Sequence, residues 1–108
     1  MTESLDTALK ARVRLVLDCE PVTEAALRRL LEEGRACILI LQARVARTES
    51  TLEALAADPV SSLADTATAF RALAEVRTDL EELEELVGAL ENRARLARAS
   101  WLSPGAAP

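Results

Sequence analysis

The chain contains no histidine and no tyrosine, and only one phenylalanine, one tryptophan and one methionine. The missing imidazole removes the commonest general base and the usual zinc, haem and di-iron ligand sets. Aromatics at 2% cannot build the stacking platforms that hold single-stranded nucleic acid. Three glycines, Gly34, Gly88 and Gly105, are too dispersed for a phosphate-cradling loop. β-Branched and aromatic residues are too sparse for a sheet. The longest unbroken apolar run, Ala36 to Leu41, is far short of the ~18 residues of a membrane span. The start, Met1-Thr2-Glu3-Ser4-Leu5-Asp6, is acidic where a secretory signal is basic, so the expected location is cytoplasmic.

What the chain does have is helix former. Ala (21), Leu (19), Glu (13) and Lys+Arg (13) make up 66 of 108 residues, above the roughly one half that marks long helices or coiled coil. The net charge is −5, and the length suits one domain. An all-α fold follows.

Three helices are predicted, over about 3–17, 24–57 and 59–101, forming one domain over 1–102, with a disordered tail over 103–108. Leu5, Leu9, Val13 and Val16 recur at helical spacing along the first. Pro21 forces the preceding residue out of helical geometry, and Thr23 is the expected N-cap of the second helix. That helix carries the cleanest pattern. Leu27, Leu31, Gly34, Ile38, Leu41, Val45, Thr48, Leu52 and Leu55 alternate steps of four and three, a heptad seam. Gly34 lies on that seam, where a missing side chain permits close approach of a partner backbone. A helix continuous through Gly34 is expected despite its poor propensity. Asp58 and Pro59 are expected to cap and open the third helix. Its own seam runs through Leu73, Val76, Leu80, Leu83, Val87, Leu90, Ala94, Ala97 and Trp101.

A tight turn at Asp58-Pro59 makes helices two and three an antiparallel hairpin. It places Leu41 near Glu75, Leu31 near Glu85 and Leu27 near Ala89. The first helix covers only the half away from the turn. There Cys37 is level with Leu5, which sets it ~20 Å from Cys19, beyond disulfide reach. The run from Cys37 to Leu41 is apolar around its whole circumference, and such a helix is normally covered on all sides. A second copy or another protein is the expected cover, giving a helical-bundle dimer. The interface is assigned to Leu31, Ile38, Leu39, Ile40, Leu41, Val45, Leu73, Val76 and Leu80. Of these, Leu39 and Ile40 reach beyond the seam.

Two charged features compete with this reading. Glu81-Glu82-Leu83-Glu84-Glu85 satisfies the EExxE half of the motif with which all-helical nucleotide pyrophosphatases hold Mg²⁺. The second acidic pair of that motif is missing, which favours a solvated acidic face. The segment from Asn92 onward holds Arg93, Arg95 and Arg98 and no acid. With Arg12, Arg14, Arg28 and Arg29 at the same end, it is a candidate basic cap for an anion or a partner, with Trp101 as plug or anchor. An accessory subunit binding nucleic acid through this end is the third possibility, against which the overall acidity weighs. The function expected is that of a non-enzymatic interaction, scaffold or chaperone-like protein with protein partners and without cofactor or metal.

Overall fold

A computed structural model describes residues 5–18 and 22–102 of the chain. They form three helices: α1 (Leu5–Leu17), α2 (Glu24–Ala57) and α3 (Leu63–Leu102). The fold is all-α, with α2 and α3 packed as a long antiparallel hairpin and α1 laid on one half of it. The molecule measures 71 × 27 × 17 Å. No helix among the described residues is long and apolar enough to cross a membrane.

α2 starts where a cap is available. Thr23 stays extended and its hydroxyl accepts from the Ala26 N–H at 3.0 Å, satisfying one donor that the first turn leaves open. Glu24 adds negative charge at the positive end of the helix. From there α2 runs unbroken through Gly34 to Ala57. A Cβ built on Gly34 would lie 2.7 Å from Cγ2 of Val87. The glycine is therefore what lets α3 approach this closely.

The turn differs from the one predicted. Asp58 closes α2 and does not cap α3: it is extended, at φ −92° and ψ 114°, and its N–H donates to the Leu55 carbonyl. Its carboxylate is taken up locally, accepting from the Val60 N–H at 2.9 Å, an Asx turn. Ser62 caps α3 instead, accepting from the Asp65 N–H at 3.1 Å. These additional loop residues move the pairing level along α3. Gly34 meets Val87, Arg35 meets Glu91 and Glu49 meets Arg77. The neighbours expected from a tight turn at Pro59 (Leu41 with Glu75, Leu31 with Glu85, Leu27 with Ala89) are displaced by more than a helical turn.

The core lies in the half away from the turn. Leu9, Val13 and Val16 of α1 pack against Leu27, Leu30, Leu31 and Leu41 of α2 and against Leu83, Val87, Leu90 and Ala94 of α3. Each fully buried aliphatic side chain there is worth about 1.5–3 kcal/mol. Nearer the turn the hairpin is two helices thick. Ala69 and Leu73 are buried, but Val45, Leu52 and Leu55 are only half-buried. Val60, Leu63 and Phe70 are exposed. Cys37 is half-buried against the core. Cys19, Pro21 and the 103–108 tail lie outside the described residues.

The two helical glycines make opposite predictions. Around Gly88 nothing lies within 4 Å of a built Cβ, so Gly88→Ala is expected to stabilise by about 0.5–1 kcal/mol. Gly34→Ala drives a methyl into a buried, β-branched side chain that cannot swing aside. Overpacking of about 1–3 kcal/mol outweighs the gain in helix propensity. Thermal melts should rise for the first variant and fall for the second, and Gly34→Ala with Val87→Ala should lose less than the two singles together.

Candidate interaction surface

The acidic run on α3 is bound up with α1. Lys10, the only lysine of the chain, is 4% exposed. Its ammonium lies 2.8 Å from a Glu82 carboxylate oxygen and 3.6 Å from Asp79. Arg14 reaches the other Glu82 oxygen at 3.4 Å. An ammonium withdrawn from water needs such partners, because desolvation costs several kcal/mol when uncompensated. The hydrogen bond from Lys10, then its charge, hold the Glu82 carboxyl below the ordinary value; loss of water opposes them, and Arg14 adds to the lowering. Glu81, Glu84 and Glu85 point to solvent. Glu91 pairs with Arg35 at 2.7 Å. Among the described residues no three acidic or cysteine side chains converge as a metal site would require. Sequence reasoning missed Lys10; the one available signal was a solitary lysine beside Leu9 on the apolar stripe of α1.

Three of the arginines expected at the basic end are engaged in similar pairings. Arg12 pairs with Glu33, Arg14 with Glu82, and Arg28 with Glu24. Arg12 and Arg29 border one groove beside Glu33, and Arg28 and Arg98 border another, so the expected arginines are brought together in part. Arg93 is half-buried, while Arg95 and Arg98 are exposed. Arg98 borders an open groove of about 380 Å³ between α2 and α3, floored by Leu27, Leu31, Ala94 and Ala97. The side chain of Trp101 lies outside the described residues.

The apolar residues assigned to an interface divide in two. Leu31, Leu41 and Leu73 are buried within their own chain, and Ile38, Val45, Val76 and Leu80 are half-buried. Leu31 and Leu41 belong to the core that joins the helices, and Ile38, Val76 and Leu80 pack against it with part of their surface still open. Leu39 and Ile40 are different, at 66% and 54% exposed. With 100° between successive residues, they straddle the side of α2 turned away from Leu27, Leu31 and Leu41. Ala36 and Ala43, one turn before and after, are also exposed. Together they make an apolar strip with short side chains at its centre line.

The Lys10–Glu82 contact has a pH signature. The folded Glu82 carboxyl titrates below the ordinary 4.5. Its stabilisation is therefore complete above the unfolded value and disappears as pH falls through the folded one. Glu82→Gln is expected to lower the melting temperature at neutral pH, with the gap to the parent closing well below pH 4.5. Melts across an acid series measure this directly.

Comparison of the chain with protein families, with curated proteins and with solved structures finds no match.

Proposed function

We propose that this protein is a non-enzymatic, cytoplasmic helical interaction module, of adaptor, scaffold or chaperone-like kind, that works through the outer face of α2. The observation that carries the reading is the pair Leu39 and Ile40, adjacent and mostly exposed midway along a helix whose opposite face is buried. Adjoining apolar residues left open on a rigid element mark contact sites. Covering each recovers up to about 1.5–3 kcal/mol. The rigidity comes from the core directly behind them, where Leu41 is 2% exposed.

The use made of the carboxylates supports a non-catalytic role. A Mg²⁺-dependent hydrolase needs acidic side chains free to converge on the ion. Here Glu82 is held by Lys10 and Arg14 and Glu91 by Arg35, and the exposed Glu81, Glu84 and Glu85 do not converge with other ligands among the described residues.

Replacing Ile40 by Glu tests the reading, because an exposed position tolerates the change with little loss of fold stability. The variant should keep the parent's helicity and melting temperature. It should lose self-association measured by light scattering, or, if the parent is a single chain, lose apolar dye binding. A variant unchanged in both mass and dye fluorescence overturns the proposal.

A further inference from the structure

Read from its two ends, the outer face of α2 sets alike apolar residues at equal distances from its centre and opposite charges farther out. Taking the midpoint between Leu39 and Ile40, Ala36 is mirrored by Ala43 and Ala25 by Ala54. Glu32 is mirrored by Arg47, and Arg29 by Ser50. All of these residues are exposed. Successive steps of three and four keep them on one side of the helix, so the face is continuous over 25–54, a length of ~45 Å at 1.5 Å per residue.

The geometry points to a second copy of this chain as the occupant of this face, its α2 antiparallel to the first, with a two-fold axis between Leu39 and Ile40. This rests on the reading above that the strip is the contact surface, and adds what covers it. A two-fold contact must be self-complementary, and the chemistry of the face meets that demand. At the axis Leu39 meets Leu39 of the second copy along one edge, and Ile40 meets Ile40 along the other. Ala36 lies opposite Ala43, with methyl groups small enough for close helix approach. Arg47 comes to the level of Glu32 and Glu33 of the second copy, and the contact is repeated by symmetry at the other end.

Competing arrangements fail on charge. A parallel pair stacks Arg29 on Arg29, Glu32 on Glu32 and Arg47 on Arg47, setting like charges opposite one another. Sliding the antiparallel pair by one heptad brings Arg47 onto Leu39, or Glu32 onto Ile40. Either slip buries a charge against an aliphatic side chain. Arg29, Glu32 and Arg47 form no ion pair among the described residues of their own chain. They are therefore available to a second copy without breaking an internal contact.

Charge exchange tests both the partner and the register. Light scattering over a concentration series should find the parent with the mass of two chains. Arg47→Glu and Glu32→Arg, made singly, should each weaken the dimer roughly tenfold, since symmetry counts every altered contact twice. The two changes in one chain restore opposite charges at the same levels and should recover most of the parent's affinity, with helicity by circular dichroism constant throughout. A parent that stays monomeric at every concentration overturns the second copy as occupant; the contact-surface reading then stands or falls on the Ile40→Glu dye experiment. A dimer indifferent to both single reversals, or not rescued by the exchange, overturns the antiparallel register.

Discussion

The register between α2 and α3 is the constraint on which the remaining structure depends, and a short loop sets it. Asp58 turns the chain out of α2, spends its carboxylate on the Val60 N–H, and leaves Ser62 to open α3. Because helices advance rigidly, the extra loop residues shift every later contact. That shift brings Gly34 under Val87, and the absent side chain lets the two backbones close together. Leu31, Leu41, Leu83 and Leu90 then meet in one cluster. Arg35 and Arg77 find Glu91 and Glu49 at the same levels; as exposed pairs they add specificity of register more than stability.

α1 completes one half of the hairpin and leaves the other thin. Its Leu9, Val13 and Val16 add a third wall to the core. Its flank carries Lys10 into a nearly water-free position answered by Glu82 and Asp79. The pairing specifies how α1 sits, because a misplaced α1 would strand that ammonium without a carboxylate. Near the turn no third helix lies among the described residues, and burial there is confined to a few positions such as Ala69 and Leu73. Local opening should begin there, since few apolar contacts oppose it.

With α1 and α3 both packed on one side, α2 has one side left over, and that side is apolar at its centre. The burial of Leu41 beside the exposure of Leu39 and Ile40 separates two roles within a single apolar run. The first holds the chain together. The other faces outward from a backbone that the core keeps rigid; in the proposed reading this is the condition under which a contact surface costs least to order on binding.

Much of the architecture could be read from residues alone. Heptad spacing marked α2 and its buried stripe, and Thr23 marked its start. The half-length first helix implied a bundle of unequal thickness. These are local or periodic properties, decided by backbone geometry and by which residues water rejects. The cap of α3 was misplaced because Asp58 and Ser62 are both good caps, and only the loop's own hydrogen bonds choose between them. The division of Ile38, Leu39, Ile40 and Leu41 into seam and surface depends on where neighbouring helices lie. So does the capture of Glu82 by Lys10, a contact between side chains that share no local pattern. Helix type, length and inner stripe were thus determined by the chain itself, through propensity and periodicity; register, the seat of α1 and the face of α2 left open were decided by tertiary packing, because they depend on distances between segments far apart in sequence.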